Sequence, residues 1–224
     1  MGRMRFVFPA AIAVCALFAI LTVIAMRFYP GGTFAEPGLT AYSFWHNFFS
    51  DLGRSQSYSG ASMAIPRSLF TGALILVGCA FIPYFIALPP LFTKRRAAYV
   101  LSIIGTIAGI VSAISYIGIA LTPWDLMLPL HKAFVYAAFI AFVIVGCCYT
   151  PAIFLNTDYP RGYFVLMLVF TLMLFGYLYL LFFGPSYRTP SGLVIQAAGQ
   201  KIIVYAEIIA MGVFSLGSMK AARA

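Results

Sequence analysis

Charge is what this chain has least of. Only 8 % of its 224 residues are Asp, Glu, Lys or Arg, while 63 % are hydrophobic and the mean hydropathy is +0.99. Soluble domains carry about 25 % charged and about 45–50 % apolar residues, so a water-soluble globule is excluded. Histidine is scarcer still, with two in the whole chain, and acids number five. A metal centre built from many histidines therefore lacks its ligands. The four cysteines, Cys15, Cys79, Cys147 and Cys148, all sit in apolar runs without zinc-type spacing and behave as small apolar residues. Neighbours on one helix point to different faces, so Cys147 and Cys148 share neither a metal nor a disulfide. No internal repeat, low-complexity tract or domain linker interrupts the chain, which leaves one membrane domain over 1–224.

What is there is a series of long apolar runs. A hydrocarbon core of about 30 Å needs about 20 apolar residues per helix. Runs of that length fall at roughly 6–28, 67–91, 98–121, 132–155, 162–184 and 197–217, predicting an all-α polytopic membrane protein, a six-transmembrane-helix bundle. The first run is too long for the apolar stretch of a secretory signal, despite Arg3 and Arg5 ahead of it and a small residue, Ala35, behind it. The net charge of +9 does not point to nucleic acid, because the basic residues sit at helix ends rather than on one exposed face. Arg3, Arg5, Lys94, Arg95, Arg96, Arg161, Lys220 and Arg223 fall on one side of a six-span map. The positive-inside rule makes that side the cytoplasm, which puts both termini there in an inner or plasma membrane.

The segment between the first two runs sorts its side chains by helical angle. From Ser43 to Arg54 (SFWHNFFSDLGR), the residues His46, Ser50, Ser43, Arg54, Asn47 and Asp51 fall in one arc of about 140°, and Phe44, Phe48, Leu52, Trp45 and Phe49 fill the opposite one. This predicts a short amphipathic helix lying flat on the membrane, ending at Gly53. On the same outer side lie Arg67, Trp124, Asp125, His131, Lys132, Tyr187, Arg188, Gln200 and Lys201. A polar cluster at the outer rim is the expectation.

Inside the membrane the sequence offers less. Gly105, Gly109, Ser112 and Tyr116 form a small-residue stripe that reads as a packing seam. Pro83 should loosen the second span, and Pro89 with Pro90 should end it. Glu207 lies about ten residues into the last span, where an acid is costly. It reads either as a carboxyl hydrogen-bonded to a neighbouring helix or as a functional group.

Phe49-Ser50-Asp51-Leu52-Gly53 after the first span, Pro66-Arg67 with Phe70, Pro123 and Asp125 followed by His131, and Gln200-Lys201 leading to Glu207 together resemble a multi-pass membrane family. It is domain-of-unknown-function family 998, similar to the Frag/DRAM/Sfk-type membrane proteins. The resemblance spans nearly the whole chain and is most specific at Ser-Asp-Leu-Gly; Thr122-Pro123-Trp124-Asp125 departs from it. It implies a fold and a site location but no reaction, so function is argued from chemistry.

Three readings follow. In the first, the protein binds, senses or moves a lipid or small amphiphile at the outer leaflet, using Asn47, Asp51, Arg54, Arg67, Asp125, His131, Arg188, Lys201 and Glu207. Arg54, Arg67, Lys132 and Arg188 would hold a phosphate headgroup, and Trp45, Phe48, Phe49 and Tyr187 would sit at the interface. In the second, a membrane-embedded hydrolase acts on a lipid. Zinc would be held by His46, His131 and Asp51 or Asp125, or Ser50 would serve as nucleophile beside His46. In the third, the polar cluster is structural, with Asp51 paired to Arg54 or Arg67 and Asp125 to Lys132, or Glu207 serves ion-coupled transport.

Overall fold

The structure, a computed structural model, describes residues 4–223, with side chains from residue 6 onward. Arg3, one of the charges used for orientation, lies outside the described residues, as does the side chain of Arg5. Six α-helices follow one another: α1 (Met4–Arg27), α2 (Ala64–Ala87), α3 (Arg96–Leu121), α4 (Trp124–Leu155), α5 (Arg161–Phe183) and α6 (Pro190–Ala221). All six are long and apolar enough to cross a membrane. Helices are the expected solution, since hydrocarbon offers no partner for a free backbone N–H or C=O.

Prolines set several of the ends. α2 runs through Pro83 and stops at Ala87, where Pro89 and Pro90 open a short 3-10 helix, Pro89–Phe92. Pro160 precedes α5, and α6 starts with Pro190 behind Thr189, whose hydroxyl accepts from Gly192 N. Two helices begin earlier than the apolar runs predict. α4 starts at Trp124 and α6 at Pro190, because tertiary contacts and caps support turns that are too polar to register as membrane spans. A break at Met127 (φ −132°, ψ 43°) separates the first turn of α4 from its long remainder.

Each helix packs on its neighbours in the chain, and α6 returns to α1 to close the ring. The predicted seam on α3 is where this packing is tightest. A side chain at Gly105 would come within 2.7 Å of the Tyr149 ring, and Gly109 lies directly against Phe85. These contacts feed a core of edge-to-face and tilted aromatics in which Phe85, Tyr149 and Phe214 are neighbours. One end of the bundle is trimmed by short connections and holds the ion pair Lys94–Asp158, 2.7 Å long. The other end carries the long segment between α1 and α2.

That segment departs from the expected amphipathic helix. Residues 44–46 make a turn, and only Phe49–Gly53 is helical, as one 3-10 turn. Its polar and apolar faces are also not outside and inside. Asn47 and Asp51 are fully buried, Phe49 and Leu52 are buried with them, and Trp45 is 56 % exposed. Burial of two polar side chains forces the backbone to satisfy them, and a regular helix would turn its own N–H groups away from that task.

Candidate functional site

Two polar clusters stand side by side at the loop-rich end, and they differ in how completely they are bonded. The first centres on Asp51. Its Oδ2 accepts from Phe48 N (2.8 Å) and Asn47 Nδ2 (3.1 Å), and its Oδ1 from Trp124 Nε1 (3.2 Å) and the Tyr58 hydroxyl (3.4 Å). Burial pushes the carboxyl up from an ordinary 3.8 to about 6, against the pull of Asn47, Arg54, Phe48 N–H and Trp124. Arg54 does not reach the carboxylate. Its guanidinium stacks 4.0 Å over Tyr58 and 4.5 Å over Trp124, the two rings that donate to Asp51, and its Nε donates to Gln56 O.

Around this hub the loop is tied down at every strand of chain. Asn47 also donates to Gly32 O (2.9 Å), a turn residue with φ +85° that a side chain would strain. Lys201, fully buried on α6, donates to Asn47 O and to Ala197 O (2.6 Å) and lies 5.1 Å over the Phe44 ring. The preceding residue, Gln200, accepts from Phe49 N at 2.8 Å. Asp125 accepts from Ser55 N and from its hydroxyl, the latter at 2.6 Å. Every polar group named here finds a partner within the protein. This cluster is a clamp.

The second cluster faces empty space. A cavity of about 230 Å³ lies between α4, α5, α6 and the loop, walled by Phe34, Phe48, Tyr58, Trp124, Tyr136 and Tyr187 and by Leu128, Val135 and Leu181. Its polar lining is Ser50, His131, Lys132, Gln196 and Gln200. Below it is a narrower chamber of about 30 Å³, lined by Phe49, Phe70, Leu74, Tyr116, Phe139 and Val204 among others. Ser50, His131, Val135 and Gln200 line both spaces and form the passage between them.

The bonding of these residues fixes what they offer. His131 Nδ1 lies 2.6 Å from Thr122 O, and since a carbonyl only accepts, Nδ1 carries the proton. In the neutral imidazole Nε2 is then an acceptor, and it has no protein partner among the described residues. The same holds for the Ser50 hydroxyl. Tyr116 donates to Glu207 Oε2 at 2.6 Å, which commits its proton. Glu207 thus has the hydrogen bond to a neighbouring helix that its place in the membrane calls for.

The aromatic walls are organised as well. Tyr187 contacts Phe34, Phe34 contacts Tyr58, and Tyr58 contacts Trp124, with ring centroids 5.4, 6.5 and 6.3 Å apart. This chain of rings lines the loop side of the cavity. On α4, by contrast, Leu128 is 39 % exposed and Lys132 is exposed.

The expected site residues therefore divide. Ser50 and His131 share the cavity. Asn47, Asp51, Arg54, Asp125 and Lys201 belong to the clamp, and Glu207 lies behind Tyr116. Arg67 and Arg188 are exposed and line neither space. His46 is bonded to Ser43 (2.9 Å) and lines a separate open hollow with Glu36 and Thr40, so it partners neither Ser50 nor His131. Among the described residues no three His, Cys, Asp or Glu side chains are placed to hold a metal, so the zinc set of His46, His131 and Asp51 or Asp125 is not assembled. The expected pairs of Asp51 with Arg54 or Arg67, and of Asp125 with Lys132, are also absent; the one ion pair among the described residues is Lys94–Asp158. Buried Asp51 takes uncharged donors because they leave no second charge to desolvate.

Tyr58, Tyr136 and Gln196 join the site without having been singled out in the sequence. Gln196 and Gln200, four apart, share a helix face, a signal hidden by the late start assigned to the last helix. Compared with known protein families, curated proteins and solved structures, the chain finds no match.

Proposed function

We propose that this is a multi-pass protein of an inner or plasma membrane that binds a lipid or other small amphiphile at its outer face, and senses or moves it. The cavity is the binding place. One observation carries the reading: unpartnered polar groups, His131 Nε2 and the Ser50 hydroxyl, stand at the closed end of a space whose walls are otherwise aromatic and aliphatic. A largely apolar pocket with a few convergent polar groups is the usual form of a small-molecule site. The aromatic chain on the loop side and the exposed Leu128 on α4 favour entry from the membrane rather than from water. The family expected from the Ser-Asp-Leu-Gly element belongs to this proposal as a statement about fold.

Val135 lines both spaces, so Val135→Phe fills the passage while leaving the clamp untouched. Lipid extracted from purified wild-type protein and identified by mass spectrometry should include one species in near-stoichiometric amount, and Val135→Phe of unchanged thermal stability should lose it. Equal lipid content in both proteins would remove the cavity from the account. The orientation is tested separately: with the basic ends Lys94 to Arg96 cytoplasmic, a reporter fused to the C-terminus should read as cytoplasmic, and an extracytoplasmic signal overturns it.

A further inference from the structure

The sequence offers Arg54, Arg67, Lys132 and Arg188 to hold a phosphate headgroup. The cavity itself has a different chemistry. Arg54 is stacked on Tyr58 and Trp124, Arg67 and Arg188 lie off the lining, and Lys201 is buried in the clamp. The single cation on the lining, Lys132, is at its exposed margin.

At the inner end the fixed acceptor is His131 Nε2, whose lone pair is free because Nδ1 is bound to Thr122 O. Beside it Gln200, whose Oε1 accepts from Phe49 N, has amide N–H groups to give. Ser50 can donate or accept. An anion brought here would face the His131 lone pair and find only uncharged donors, so the loss of its hydration would be poorly offset. A headgroup with an O–H to give would satisfy His131 and leave its own oxygen for Ser50. Resting on the reading of the cavity as an amphiphile site, we infer that its ligand is a neutral amphiphile with a hydroxyl head, whose O–H donates to His131 Nε2. His131 and Ser50 set this specificity, and the aromatic and aliphatic walls take the adjoining chain. The lower chamber, about 30 Å³, is walled almost wholly by apolar surface and offers a water no set of polar partners.

The test uses the full chain in nanodiscs, labelled with a diazirine-bearing hexadecanol and competed with three probes of one chain length: hexadecanol, hexadecyl methyl ether and hexadecyl phosphate. The methyl ether keeps the oxygen and lacks the donor. Hexadecanol should compete best, with the ether about tenfold weaker, as expected for one lost hydrogen bond into a buried acceptor. His131→Phe should erase the difference between alcohol and ether, and Lys132→Gln should change neither. Ser50→Ala, whose hydroxyl has no protein partner, should narrow the same difference and serves where His131→Phe does not fold. Stronger competition by the phosphate, reduced in Lys132→Gln, overturns the inference while the cavity stands as an amphiphile site. Label absent from cavity residues when no competitor is present removes both.

Discussion

The Asp51 cluster and the His131 cluster lie at the same end of one bundle, drawn from the same loop and helices, and are chemically opposite. Around Asp51 both carboxylate oxygens have their donors, supplied by Asn47, Phe48 N, Tyr58 and Trp124. Around His131 an imidazole nitrogen and a serine hydroxyl are left over beside a cavity. The difference teaches where to look for function in a chain so poor in charge. Asp51 and Lys201 are taken up by the clamp, and the unpartnered groups at the inner end of the cavity are neutral.

Breaking the clamp should have the largest effect. Asp51→Ala strands four donors in a buried place and should cost about 3–5 kcal/mol, read as a steep fall in the detergent melting temperature or as loss of folded protein. Lys201→Met leaves the Asn47 carbonyl unpaired, and the melting temperature should report a loss of about 2 kcal/mol.

Acidity sharpens the contrast from the same side. With the Asp51 carboxyl raised to about 6 in the fold and near 3.8 when unfolded, the folded protein binds more protons between those values, so stability rises as pH falls through that window. Taken as the difference between wild type and Asp51→Asn, this share should approach about 3 kcal/mol between pH 7 and pH 4. Melting temperatures of the two proteins that change in parallel over this range would show that Asp51 does not titrate as its burial requires.

The smallest effects belong to the exposed arginines that a phosphate headgroup would need. Arg67→Ala and Arg188→Ala should each change stability by less than about 0.5 kcal/mol and leave amphiphile labelling intact, as surface substitutions do. A large loss of labelling in either would return the phosphate reading.

The bundle was legible because a membrane imposes one rule on every backbone group, and six apolar runs obey it plainly. The seam at Gly105 and Gly109 was legible for the same reason: close packing of helices in lipid needs small residues at helical spacing. The site was only partly legible. The Ser43 to Arg54 stretch does mark it, but angular sorting assumed a helix with a wet face, and the structure folds Asn47 and Asp51 inward because donors from Tyr58 and Trp124 await them. Those partners come from farther along the same loop and from α4, which no local periodicity encodes. Pairing opposite charges by proximity failed likewise, since Asp51 and Asp125 are bonded by uncharged groups. Glu207 was flagged correctly as a residue in need of a partner, and its partner, Tyr116, was already visible at the end of the small-residue stripe.

The central claim is that the cavity bounded by Ser50, His131 and Gln200 receives an amphiphile while the Asp51 clamp does not. Peptide mapping of diazirine-hexadecanol label on the wild-type chain in nanodiscs tests it most directly. The account predicts label on the α4 peptide holding Val135 and Tyr136 and on the α6 peptide holding Gln196 and Gln200, removed by excess unlabelled hexadecanol. Label spread over membrane-facing residues such as Ile107, Leu172 and Ile209, and undiminished by hexadecanol, would contradict it.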